Sequence, residues 1–309
     1  MNLDKPSDPK SYINVVLSAR ASFPTLGPFT GVGSRRRLVR ACAATLFCLS
    51  FNLAFGQHAV LDGLAAMRAG DCKRAVNLLE PLEPNGPPEA WKLLGDMYAF
   101  GHCKSVDRIR AARLYSAAAE QGYAPAQYNL AVAYDKGDGV AANLATAIDW
   151  YTKAASQGHA DAQSNLAVLY FTGRGVERDD VKGADLVESA ALRGYAPAQD
   201  NIGKVYREGI GRPKDLVKAE SWHRKAAEQG HAQALANIGA FYEVGWVVKM
   251  NHGLAYTHYL MAQRAGYRQA EESTNRLRNG LSANQLAEAQ RIARSWQPGA
   301  SLPLIFPYQ

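Results

Sequence analysis

Between Gly86 and Gly266 the apolar and polar positions of the chain recur every 36 residues without a gap, in copies that open at Gly86, Gly122, Gly158, Gly194 and Gly230. A partial sixth copy starts at Gly266. In the first half of each copy Ala stands at repeat position 5 (Ala90, Ala126, Ala162, Ala198, Ala234), Leu or Ile at 9 (Leu94, Leu130, Leu166, Ile202, Ile238) and Tyr at 13 (Tyr98, Tyr134, Tyr170, Tyr206, Tyr242). Spacings of four put these side chains on one face of a helix. In the second half Ala at 26 (Gly183 in the third copy), Leu or Trp at 29 (Leu114, Trp150, Leu186, Trp222) and Ala at 33 (Ala118, Ala154, Ala190, Ala226, Ala262) form a second buried stripe. Between the halves, Gly at 16 (Gly101, Gly137, Gly173, Gly209, Gly245) predicts a helix stop, because only Gly takes positive φ at no steric cost. Asp or Asn at 22 (Asp107, Asn143, Asp179, Asp215, Asn251) predicts the cap of the next helix. Gly or Ala at 10 predicts close approach of a neighbouring helix. Each copy therefore reads as helix, turn, helix.

The second copy carries the pattern most fully, in Ala126, Leu130, Ala131, Tyr134, Gly137, Gly139, Val140, Asn143, Ala147, Trp150, Lys153, Ala154, Ala155 and Gly158. These residues resemble the Sel-one-like repeat family, a relative of the tetratricopeptide repeat, over about residues 86 to 281. The resemblance implies an all-α fold, a right-handed α-solenoid of about six stacked helix-turn-helix repeats, and protein partners. The first copy departs from the pattern with Cys103 and Lys104 in place of Gly and Val. The fifth departs with Val247, Val248 and His258.

Around the array the chain divides into residues 1–56, a leader; 57–85, a shortened capping repeat with Asp71 at its cap position; 86–265, the five full copies; 266–297, a partial repeat and a final helix opened by a Ser282–Gln285 capping box; and 298–309, a tail. Leu302, Leu304, Ile305, Phe306 and Tyr308 make the tail apolar enough to predict docking on the last repeats.

An amide column at position 8, formed by Asn129, Asn165, Asn201 and Asn237, is the candidate partner-binding feature. Position 12, one turn later, holds Leu169, Val205 and Phe241 in the last three copies, so an apolar strip is expected beside the amides. In the related tetratricopeptide fold the first helices line a concave groove. The resemblance thus implies that the amides grip an extended peptide there. The competing reading is that each Asn bonds a neighbouring repeat and fixes the stacking.

Charge and composition change this picture at the N-terminus. Arg35, Arg36, Arg37 and Arg40 precede an apolar run, residues 41–55, that ends in small residues near Gly56, the layout of a secretory signal. The basic stretch also looks like a twin-arginine export signal. At 15 residues the run is short for a membrane span, so a periplasmic or secreted protein is expected, the alternative being an inner-membrane anchor. Residues 1–56 hold seven basic and two acidic residues, and removing them takes the net charge from +7 to +2. No dense basic stripe remains, which argues against a nucleic-acid partner. Cys72 and Cys103 would then be the remaining cysteines, at the same end of stacked units, and form a disulfide candidate. His159 and His231 alternate with Tyr at position 2, which fits packing between repeats rather than metal binding, and no cofactor motif or convergent catalytic set can be assembled. A non-catalytic scaffold or regulator is therefore the leading reading. An envelope-polymer (glycan or peptidoglycan) binding module, or a hydrolase with a cryptic site, stands as the alternative.

Overall fold

The computed structural model describes residues 56–305. The leader, with its basic stretch and apolar run, lies outside the described residues, as do Phe306 and Tyr308. Every regular element among the described residues is helical. The first helix, α1, spans residues 56–68, and α2, Cys72–Leu79, is followed by a short 3₁₀ turn. The five copies then supply α3 (Pro88–Phe100) and α4 (Arg108–Glu120), α5 (Ala124–Lys136) and α6 (Leu144–Ser156), α7 (Ala160–Thr172) and α8 (Asp180–Leu192), α9 (Ala196–Glu208) and α10 (Leu216–Glu228), and α11 (Ala232–Val244) and α12 (His252–Arg264). The array closes with α13 (Ala270–Arg278) and α14 (Ala283–Ser295).

The turns within each copy are closed by the residues that the periodicity singles out. Each first helix ends on the position-16 glycine at φ between 67° and 79°, the left-handed region that a Cβ disfavours. The chain then returns so that the backbone N–H of the position-22 residue donates to the carbonyl of the position-13 tyrosine, as from Asp107 to Tyr98 at 2.9 Å and from Asp215 to Tyr206 at 2.8 Å. The same Asp or Asn side chain accepts from the third residue of the helix it opens, at 2.9 Å in Asp107, Asp179, Asp215 and Asn251. Each such cap contributes about 1 kcal/mol.

Packing is sequential, which is what makes the array a solenoid. Each first helix lies against the second helix of its copy, and that helix lies against the first helix of the next copy. Positions 5, 9, 26 and 33 fill the seam, with Ala90, Leu94, Ala118, Ala198, Ile202 and Ala226 excluded from solvent. Position 10 is small for a specific reason. In three copies it is glycine, and the aromatic ring at position 30 of the same copy rests on it. A Cβ on Gly95 would lie 2.5 Å from Tyr115, one on Gly203 2.7 Å from His223, and one on Gly239 3.0 Å from Tyr259. The third copy carries Gly183 at position 26 because Phe171 occupies that space, 2.6 Å from where a Cβ would be.

At the open ends, α14 starts on a complete capping box of Ser282 and Gln285 and buries Ala289 and Ala293 against the last copy. The tail docks as far as Leu302, which is buried. Gly299 N–H donates to the Glu228 carbonyl at 2.6 Å, and Leu304 and Ile305 then emerge into solvent.

Candidate interaction face

The first helices set their position-8 amides at the edge of the seam, half-buried, and most of these amides are bonded to the preceding copy. Asn129 donates to Asp96 at 3.1 Å, and the same Asp96 oxygen accepts from the Tyr115 hydroxyl at 2.9 Å. Asn165 donates to the Tyr151 hydroxyl at 3.2 Å. Asn237 donates to Asp200 at 2.7 Å, where His223 Nδ1 also bonds at 2.7 Å. Arg207 in turn donates to the Asn237 carbonyl oxygen at 3.3 Å. Asn201 is the exception and bonds no group among the described residues. The partner of an amide is thus the position-30 side chain of the preceding copy, or an Asp that this side chain also touches. At position 30 the chain reads Tyr115, Tyr151, Val187, His223 and Tyr259, so the residue that corresponds to these partners for Asn201 is a valine.

The expectation that position 12 lines an open groove is corrected. Leu169, Val205 and Phe241 are only 3%, 5% and 1% exposed. The reason is helical geometry. Successive residues advance by about 100°, so position 12 returns to within about 20° of position 5, on the core side. The residues that share the open side with position 8 are those at 11 and 15, where Val168 is 54% exposed and Val132 half-buried.

The electrostatics of the face centre on Asp200, which is fully buried. Burial, the largest influence, pushes its carboxyl up, but the His223 hydrogen bond and the Lys204 ammonium at 2.8 Å outweigh it and hold the pKa well below the ordinary carboxylate range. Burial raises the phenols of Tyr115 and Tyr151 above the usual value; the Asp96 charge adds to the shift at Tyr115, whereas the Asn165 hydrogen bond opposes it at Tyr151. All these groups are held by partners within the chain. Among the described residues no group of three His, Cys, Asp or Glu is placed to hold a metal ion.

A second polar column was not singled out in the sequence. Gln127, Gln163 and Gln199 at position 6 are buried and donate to the carbonyls of Ala119, Ala155 and Ala191 in the preceding copy, each at 3.2 Å. Their recurrence at one position was the available signal. Gln157 and Gln229 donate to the Oε1 atoms of Gln127 and Gln199 at 2.7 Å. The third copy has Arg193 there, which turns to the Gly158 carbonyl and leaves Gln163 Oε1 unpaired. His159 stacks on Tyr128 at 4.8 Å and caps α7 through Nδ1, uniting a packing and a capping role.

Cys72 and Cys103 are joined, with Cα atoms 4.8 Å apart, and tie α2 to the α3–α4 turn. Lys104 of the α3–α4 turn and Arg110 of α4 pair with Glu80 and Glu83, in and just after the 3₁₀ turn that follows α2. Cys103 stands where Gly139, Gly175 and Gly211 stand in later copies and takes the same left-handed backbone, at φ 66°.

Stacked helix pairs that cover one another's apolar faces, with polar side chains spent across the junctions, define a helical-repeat scaffold. The sequence pattern of the Sel1 repeat matches residues 89–123, 124–159, 160–195, 196–231 and 232–267 in unbroken succession, and the chain belongs to that family. The fold is similar to that of a Sel1 repeat protein from Oxalobacter formigenes, with a TM-score of 0.67 and 28% identity over 76% of this chain and 98% of that one. It is also similar to c5321, described as a protective antigen of uropathogenic Escherichia coli strains displaying an SLR fold, with a TM-score of 0.66 and 34% identity over 72% of this chain and 48% of that one. Protein SHC1 of Saccharomyces cerevisiae is 33% identical over 90 residues, 29% of this chain and 17% of that protein. The chain thus spans about half the length of c5321 and a smaller part of SHC1. Sel1 repeats form helical scaffolds that usually mediate protein interactions.

Proposed function

We propose that the chain is a non-catalytic scaffold or regulator of the bacterial envelope that binds a protein or peptide partner on the face formed by its first helices. The observation that carries this is the division of labour within the repeat. Positions 5, 9 and 12 are spent in the core, while positions 8 and 11 stay partly open, the amides Asn129, Asn165, Asn201 and Asn237 at the first and Asp96, Val132, Val168 and Lys204 at the second. Solenoid faces of this kind commonly bind extended partners. Asn129, Asn165 and Asn237 already bond Asp96, Tyr151 and Asp200, which supports Asn201 as the amide most available to a partner. No helix among the described residues is long and apolar enough to cross a membrane, and the Cys72–Cys103 pair fits an oxidising compartment.

A photoreactive residue at Val132 or Val168, compared with one at the exposed Asp149 on a second helix, tests this reading in the native envelope. The first-helix positions are expected to capture one common protein species that the Asp149 position does not. Equal capture from all three would refute it. N-terminal sequencing of the same material checks export, with a chain starting near Gln57 expected.

A further inference from the structure

The junction between the third and fourth copies is built unlike the other three. Position 7 is Ser164 where the next copy has Asp200, and position 30 is Val187 where the other copies have tyrosine or histidine. Val187 offers Asn201 no acceptor, and Ser164 offers a hydroxyl in place of a carboxylate. Val187 is buried, and among the described residues neither the buried Ser164 hydroxyl nor the half-buried Asn201 amide has a hydrogen-bond partner. One turn further along α9, the Lys204 side chain is 27% exposed, with its Nζ 2.8 Å from Asp200 Oδ2.

Elsewhere the chain itself shows what completes such a junction. A carboxylate oxygen accepts the Asn amide, from Asp96 at 3.1 Å and from Asp200 at 2.7 Å. We propose that the notch at Asn201 takes the carboxylate of an Asp or Glu side chain in an extended peptide. Asn201 Nδ2 and Lys204 Nζ donate to it, and exposed Val168 receives an apolar neighbour. This rests on the first-helix face being the binding face. A tyrosine hydroxyl would satisfy Asn201 as Tyr151 satisfies Asn165, but the Lys204 ammonium one turn away selects an anion. Asp200 does not repel that anion strongly, since its charge is met by Lys204 and by hydrogen bonds from His223 and Asn237.

The test is selection of random linear dodecamer peptides on the immobilised chain, followed by affinity measurement of the selected consensus peptide. One fixed Asp or Glu beside an apolar residue is expected. Its replacement by Gln should weaken binding by about tenfold or more, and added salt should weaken the acidic peptide alone. Val187→Tyr supplies the hydroxyl that Tyr115 and Tyr151 supply at their junctions, and Tyr151 already packs in one core cluster with Ala131, the position-10 alanine that corresponds to Ala167. Ser164→Asp supplies the carboxylate. Each variant should fill the notch from within and lower affinity by about tenfold or more; Val187→Tyr should leave melting unchanged or raised, whereas Ser164→Asp, which lacks counterparts of His223 and Lys204, should lower melting while its folded fraction shows the same loss of affinity. If Val187→Tyr fails to fold, Ser164→Asp decides. Selected peptides that lack a fixed acid, or that bind both variants as tightly as the parent, overturn the notch. If Val168→Glu still abolishes their binding, the face itself stands. Selection of no peptide at all overturns both readings.

Discussion

His258 occupies the position held by Trp150 and Trp222 in the second and fourth copies, and the swap turns an apolar contact into a titratable one. Its ring is wholly buried against Tyr242, with Nδ1 donating to the Leu254 carbonyl at 2.8 Å and Nε2 unpaired. Burial pushes its pKa down to about 4, so the folded chain carries it neutral. An unfolded imidazole takes up a proton near pH 6.5. Between that pH and about 4 the unfolded state holds the extra proton, and stability falls as pH is lowered through the window. The depressed carboxyl of Asp200 acts lower down, its contribution being present above about pH 3.9 and lost only below it. Urea unfolding of the parent and of His258→Leu at pH 7 and pH 5 separates the two effects. The parent is expected to lose about 2 kcal/mol more than the variant over that interval. Parallel losses would mean that His258 is not held neutral.

At the scale of helices and turns, the shortened α1–α2 pair meets the array through few apolar side chains and is stapled by Cys72–Cys103. A closed segment with a sequence separation of 31 contributes about 3 to 4 kcal/mol in the chain-entropy model. Cys72→Ser combined with Cys103→Gly removes the link while leaving a residue suited to the left-handed backbone at 103. The double variant is expected to unfold more easily by that amount. Mass analysis of the unreduced parent should show the loss of two hydrogens, and two free thiols would contradict the link. Elements of this kind were legible in the sequence because their causes are local and repeated: Gly at 16, Asp or Asn at 22 and Ala at 33 each act within a turn or a seam. The fate of the amide column was not legible from its own spacing. Asn165 depends on Tyr151, 14 residues back, and Asn129 and Asn237 on aspartates 33 and 37 residues back. Reading position 30 beside position 8 was the available signal, since Val187 alone breaks that column. Position 12 is ambiguous in the sequence because it lies a step of four from position 8 and also seven residues from position 5, and the second relation, which follows the core, prevails.

Over the whole molecule, the repeat holds one geometry while side-chain substitutions decide where polar groups are spent on stacking and where they stay open to a partner. The described chain is a Sel1 repeat scaffold in which the amides of Asn129, Asn165 and Asn237 are bonded across their junctions and that of Asn201 is not. A partner that reads the first-helix face therefore meets its most available amide near the middle of the array. The most direct measurement is a paired one, thermal melting together with crosslinking yield from a photoreactive residue at Val168, for Asn237→Ala and Asn201→Ala. Asn237→Ala strips a donor from buried Asp200 and is expected to cost about 1 to 3 kcal/mol of stability, while the folded fraction crosslinks as the parent does. Asn201→Ala is expected to melt within about 0.5 kcal/mol of the parent and to lose most of the crosslink. A sharply lowered melting point for Asn201→Ala with crosslinking intact would contradict the assignment of that amide to the partner.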